Sequence, residues 1–298
     1  MKLGVSLPQT NIGTDPSVVR DFAQAAEALG YEHLAVYDHV VGVNPMSYTD
    51  WSGPYTSKHA FHDPFALFGF LAGQTEKIVL TTHVLILPQR QTALVARQAA
   101  SVDKLSGGRL RLGIGIGWNV VEFTVLGEEF SERGQRSQEQ IEVLKKLWSQ
   151  DHVTFHGRWH ELPDVGLSPK SVQRPIPIWL GGHHDNVLKR IASMGDGWII
   201  LAYKPDQEAA ARIRKLHEFT QSAGRKPGDI GIDAWVSMGT LKPDDWRKEI
   251  KGWKDLGVSH VTLNTSFDVM HHKPISGNSL QQHLEAIRSY RDAVSELL

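Results

Sequence analysis

The sequence predicts an α/β chain folded as a (β/α)8 TIM barrel, and three observations carry that prediction. Strand-length runs of branched and aromatic residues alternate with longer amphipathic stretches from one end to the other, the order produced by βαβ units and a parallel sheet. About eight strand and helix pairs can be counted, which favours a closed barrel over an open doubly wound sheet. The 298 residues can be read as a single domain, 1–298, once a long connection at about 41–61 and an insertion at about 150–175 are allowed for.

The elements follow in order. Residues 2–8 form a strand candidate, after which Asp15-Pro16 offers an N-cap and a proline at the first helical position. The helix behind it places Val19, Phe22, Ala23, Ala26 and Leu29 on one face and stops at Gly30. Residues 34–37 make the second strand. The polar and aromatic connection after it far exceeds a usual βα loop, and Trp51, Tyr55 and His59 mark it as a lid that shapes a substrate pocket. Asp63-Pro64 opens the next helix; residues 78–87 are the third strand, with a helix from Thr92 to Leu105. The fourth strand, 110–116, precedes a helical stretch that ends near Trp148. Residues 150–175 read as an inserted hairpin around Gly157-Arg158. Strands at 176–180, 197–203, 232–238 and 260–265 then alternate with helices at about 185–194, 206–222, 244–256 and 280–298.

Composition narrows the function. Lys plus Arg number 32 and Asp plus Glu 33, a net charge of −1 without the basic field that binds nucleic acid. There is no cysteine, which excludes disulfides, thiolate nucleophiles and cysteine zinc sites. Pro8 and Gln9 interrupt the first apolar stretch, and no run reaches the roughly 18 apolar residues of a membrane helix, so the expectation is a cytoplasmic protein without a membrane partner. The sequence lacks G-x-x-x-x-G-K-[ST], G-x-S-x-G and H-E-x-x-H.

In a TIM barrel the site lies at the C-terminal ends of the strands. Asp38-His39 ends the second strand there, either as ligand-touching acid–base groups or as a hydrogen-bonded strand-end pair. Gly113, Gly115 and Gly117 alternate along the fourth strand, so one face lacks side chains, for a flat ligand or for tight packing against another backbone. Gly181-Gly182-His183-His184 leads into a helix whose first N–H groups can cradle a phosphate, the alternative being a plain turn. His152, His156 and His160 recur every four residues, but Val153, Thr154 and Phe155 favour strand and Gly157 breaks the run, so no metal is expected. Arg109, Arg111, Arg133, Arg136, Lys145 and Lys146 read as a solvated helical face with its flanks.

Asp38-His39, the run from Leu87-Pro-Gln-Arg-Gln-Thr to Leu-Ser-Gly-Gly-Arg-Leu110, Leu112-Gly-Ile-Gly-Ile-Gly-Trp118 and Met194-Gly-Asp-Gly-Trp198 together resemble the bacterial luciferase-like family, most closely its branch that uses the deazaflavin coenzyme F420. The resemblance implies a luciferase-like barrel and an oxidoreductase that passes hydride to or from a small organic substrate, with homodimers common. It assigns Asp38 and His39 to contact with the deazaflavin and makes His39 the first candidate for proton transfer. It places a bulge with a non-proline cis peptide at Thr82-His83, with Val84 and Leu85 adjacent, and lines the ring or ribityl chain with Gly117, Trp118 and Asn119. Gly181, Gly182 and His183 would hold the phosphate. Trp118 stands where some members carry a carboxylate. The competing expectations are a reduced-FMN-dependent monooxygenase on the same fold and a non-catalytic flavin-binding barrel.

Overall fold

The computed structural model describes residues 1–239 and 241–298. Its elements run β1 (Lys2–Ser6), α1 (Pro16–Ala28), β2 (His33–Val36), α2 (Pro64–Ala72), β3 (Val79–Thr82), β4 (Leu85–Ile86), α3 (Thr92–Leu105), β5 (Leu110–Gly115), α4 (Val120–Val125) and α5 (Arg133–Ser149). They continue with β6 (Val153–His156), β7 (Glu161–Val165), β8 (Ile178–Gly181), α6 (Asp185–Met194), β9 (Gly197–Ile200), α7 (Gln207–Ser222), β10 (Gly231–Ser237), α8 (Pro243–Asp255), β11 (His260–Asn264) and α9 (Leu280–Val294). The nine strands of the main sheet lie in the order β3-β2-β1-β11-β10-β9-β8-β5-β4, and pairing of β3 with β5 closes it. Since β3 and β4 are two parts of one stave, this is the expected parallel (β/α)8 barrel of eight staves.

Closure depends on a register slip. Thr81 pairs with Arg111, an offset of 30, whereas Leu85 pairs with Ile114, an offset of 29, so four steps along the third stave oppose three along β5. The extra residue makes a bulge. Opposite it, a Cβ on Gly113 would lie 1.9 Å from the Thr82 carbonyl oxygen and one on Gly115 would lie 2.5 Å from Val84 Cγ2. Of the two readings of the alternating glycines, close packing is the one observed for these two, against a backbone carbonyl at Gly113 and against the Val84 side chain at Gly115.

Helix starts follow their caps. Asp15 accepts from Ser17 N–H, Asp63 from Phe65 and Ala66, and Asp206 from Glu208 and Ala209. The stretch expected to run as one helix to Trp148 is two, α4 and α5, because Asn119 caps its own short helix. The insertion holds the antiparallel β6–β7 hairpin. It keeps the three histidines apart: His156 faces Glu161 in solvent, while His160 sits between Thr92 and Glu139. No helix among the described residues is long and apolar enough to cross a membrane.

Two of the basic residues expected on a solvated face, Arg109 and Arg111, are a correction. Arg109 donates to the carbonyls of Ala72, Thr75, Ile78 and Ser106, tying α2 to β3 and β5. Arg111, 7% exposed, turns into the barrel over the Trp179 ring because it lies on the lumen side of β5.

Gly113→Ala is expected to cost about 3 kcal/mol or more, since the barrel must open to admit the methyl group. Gly69→Ala, in α2 with nothing within 4 Å of the new atom, should stabilise by about 0.5–1 kcal/mol. Chemical unfolding of both variants checks the pair; equal midpoints would contradict the packing account.

Candidate active site

The two members of the Asp38-His39 pair have separate tasks. Asp38 is 2% exposed. Its carboxylate accepts from the Ile86 N–H at 3.1 Å and pairs with Arg90 Nη2 at 2.7 Å, and Arg90 reaches on to Asp63 at 3.1 Å. Asp38 therefore clasps the end of β2 to the end of β4 and to the cap of α2. His39 remains available at the mouth: its ring lies tilted by 32° against Tyr55 with centroids 3.5 Å apart, meets Phe61 edge-on at 4.9 Å, and its side chain is 14% exposed.

Behind His39 stands Glu122, a residue the sequence reading missed. Its carboxylate is buried, 3.6 Å from His39 Nδ1, too long for a hydrogen bond. It accepts from Val40 N–H at 2.9 Å, Val41 N–H at 3.3 Å and the Tyr55 hydroxyl at 3.1 Å. Burial pushes the carboxyl upward, but His39 and these donors outweigh it and hold Glu122 below the usual carboxylate range. Burial raises the Tyr55 phenol, and Asn119 Nδ2 donates to its oxygen at 3.0 Å, so Tyr55 stays a donor toward Glu122. A signal for Glu122 existed: Asn119-Val-Val-Glu122 has the spacing of a helix start with an acid at N3. The acid turns to the 40–41 backbone instead of capping its own helix.

The mouth loop is an aromatic layer. Trp51 Nε1 donates to Tyr55 O at 2.8 Å, and Trp118, 46% exposed, lies 5.6 Å from Trp51 and 5.7 Å from Tyr55. His59 is not part of that layer. It is exposed, and its Nδ1 accepts from the Thr56 N–H to close a local turn.

At the third stave the cis peptide lies at His83-Val84, one residue beyond the expected position. The ladder extends that far because His83 N–H still bonds Val36 O at 2.7 Å. Thr82 is buried with its hydroxyl on Gly113 O, and Leu85 is fully buried in the core, so neither side chain reaches the mouth. His83 points down into the lumen. Val84 is half-buried and packs with the upper-lumen cluster of Tyr37, Ile199, Trp235, Phe61, Leu201 and Phe267.

Across the barrel, Gly182 has φ +127°, and a Cβ there would meet Val187 at 3.2 Å. His183 stands edge-on to Tyr203 at 5.4 Å, its Nδ1 buried without a partner. Burial and Arg212 keep it below the usual histidine value, hence neutral. His184 caps α6 by accepting from Asn186 N–H. Asn119 is spent on Tyr55 and on capping α4, and Gly117, at φ +79°, offers its carbonyl to Arg133.

Below the mouth runs a buried ionic chain. His33 faces Glu32 at 2.7 Å and Asp233 at 3.2 Å; His83 Nε2 faces the same Asp233 oxygen at 3.3 Å, and its Nδ1 accepts from Trp235. Burial opposes charge at each group. The two carboxylates nevertheless hold His33 above its usual value, while desolvation keeps His83 neutral. Asp233, facing both rings, sits well below the usual range. His33, His83 and Asp233 place three donor atoms within 4.8 Å of one another, a cluster unrelated to the His152, His156 and His160 set.

These features meet the comparisons with known proteins. The model of the luciferase-like monooxygenase family matches residues 1–241. The chain belongs to that family of oxidoreductases and monooxygenases. It is 34% identical to an uncharacterized protein of Mycobacterium tuberculosis over 257 residues, 84% of this chain and 85% of that one. It is 31% identical over 222 residues to an F420-dependent glucose-6-phosphate dehydrogenase of Kineococcus radiotolerans and 29% over 237 residues to an FMNH2-dependent dimethylsulfone monooxygenase of Pseudomonas putida. These matches span 72% and 78% of this chain and 61% of each relative. The fold superposes on an F420-dependent secondary alcohol dehydrogenase with a TM-score of 0.77 at 20% identity, covering 98% of both chains. The family thus has members dependent on F420 and members dependent on reduced FMN.

Asp233→Asn should lower stability by about 3 kcal/mol, because the buried His33 loses one of its two carboxylate partners and is left with Glu32 alone. The depressed Asp233 contributes stability above its ordinary 3.8, lost as pH falls through its folded value. The raised His33 contributes stability in full below 6.5, lost as pH rises through its folded value. The difference between wild type and variant should therefore be greatest between pH 3.8 and 6.5, as read by unfolding across a pH series. A pH-independent difference would contradict the ionic chain.

Proposed function

We propose that this chain is an F420-dependent oxidoreductase acting on a small organic molecule. One observation carries the reading: a part-exposed His39, backed by the buried Glu122 and Tyr55, stands at the mouth above an apolar upper lumen. The residues fit a deazaflavin. The apolar cluster with Val84 suits a flat ring, and Gly181, Gly182, the unpartnered His183 and the first turn of α6 suit its phosphate.

When bound, F420 supplies a carbon-centred hydride carrier that works in two-electron steps. The chain's part is to bind and orient the reactants, keep water out with Trp51, Tyr55 and Trp118, and move one proton at the His39 imidazole. Glu122 positions that ring; Asp38 acts through its clasp on Arg90 and Ile86 N–H. The same reading takes a homodimer as the working unit. The second reading, a reduced-FMN-dependent monooxygenase, draws support from the Pseudomonas putida relative.

Titration with F420 and separately with FMN, followed by quenching of the nine tryptophans, tests the reading. Micromolar or tighter F420 binding, at least about tenfold tighter than FMN, is expected; the reverse order moves the chain to the monooxygenase reading. Once a substrate is found, His39→Ala should lower turnover by about 10²–10⁴-fold while changing F420 affinity by less than about tenfold. Unchanged turnover removes His39 from its role.

A further inference from the structure

Beside the mouth lies a groove of about 840 Å³ between the start of α5 and one face of α6, its inner end at Ile116 and the His184 cap. Three basic side chains line it: Arg133, Lys189 and Arg190. Among the described residues none of the three has a carboxylate within 4.0 Å. Glu132, the acid on the groove wall, is engaged with Arg158 and Trp159. Neighbouring cations behave differently, since Arg212 and Lys215 share Asp185.

Arg190 is the informative member. It is 9% exposed, gives Nη2 to Gly134 O at 2.7 Å, and leaves Nε buried without a partner. Burial draws its guanidinium below the usual value with no carboxylate to offset it. A buried unpaired cation is costly, and an anion delivered by a ligand removes that cost. Arg133 donates Nε to Gly117 O at 3.3 Å, so the groove opens directly off the end of the fourth stave.

We propose that this groove binds the polycarboxylate tail of the cofactor, beyond its phosphate, through Arg133, Lys189 and Arg190. The inference rests on the F420 reading and deepens it. FMN ends at its phosphate and would leave the groove's cations unpaired, whereas F420 continues into a chain of glutamates. The groove is thus a specificity device for the deazaflavin.

The test compares three probes on the whole protein: F420 with its glutamate tail, the same deazaflavin trimmed to its phosphate, and FMN. Wild type should bind tailed F420 about tenfold or more tighter than the trimmed form, a gap that narrows as salt is raised. In Arg190→Gln, and to a smaller degree in the exposed Lys189→Gln, that gap should shrink to about threefold or less, with affinity for the trimmed form within about twofold of wild type. If Arg190→Gln does not fold, Lys189→Gln and the wild-type tail and salt dependence decide. Equal affinity for tailed and trimmed F420 in wild type overturns the groove and leaves the cofactor reading standing. FMN binding with no binding of either deazaflavin overturns both.

Discussion

The barrel closes where a bulged third stave meets a strand that has no side chains on the facing positions, and the mouth depends on that fit. Four residue steps on one side against three on the other leave Thr82 and Val84 against β5, and only glycine at 113 and 115 makes room for the Thr82 carbonyl and the Val84 side chain. Beyond the bulge the stave re-pairs at Leu85 and Ile86, whose N–H reaches Asp38. That bond, with Arg90, fixes the end of β2, and so determines where His39 stands. A packing constraint among glycines thus becomes a constraint on the placement of a titratable ring.

Charge is handled at three depths. In the lumen, two carboxylates, Glu32 and Asp233, face His33, His83 and Arg111, and each charged group has an opposite neighbour. At the mouth, one buried carboxylate, Glu122, is satisfied by two backbone donors and a phenol and lies beside an imidazole that solvent still reaches. In the flanking groove the cations have no such partner. Compensated charge supports the fold, whereas partly compensated charge at a surface opening is where a ligand gains most.

The fold was legible because its signals are periodic or local: the strand and helix alternation, Asp15-Pro16, Asp63-Pro64 and the Gly30 stop. The site was legible in part. Asp38-His39, the 113–117 glycines and the 181–184 turn all lie at the strand ends where a barrel puts its chemistry, but the division of labour between Asp38 and His39 depends on Arg90, 52 positions away from Asp38. Glu122 was missed because the buried groups it serves, Val40 and Val41 N–H, come from another stave. His59 was included for its residue type, yet its partner is three positions away in its own turn. Arg111 was read as surface because alternation along a strand does not say which side is the lumen. The cis bond fell one position late because a pairing partner, Val36 O, decides where the ladder breaks.

On the proposed reading, the mouth between Val84, His39 and the α6 N-terminus holds a deazaflavin. A crystal structure of the protein soaked with F420 tests it most directly. The ring's face is expected against Val84, its edge within hydrogen-bond reach of His39, and the phosphate on Gly182 and His183. A ring bound elsewhere, or a mouth filled by Tyr55, Phe61 and Trp118 with no ligand density, would contradict it.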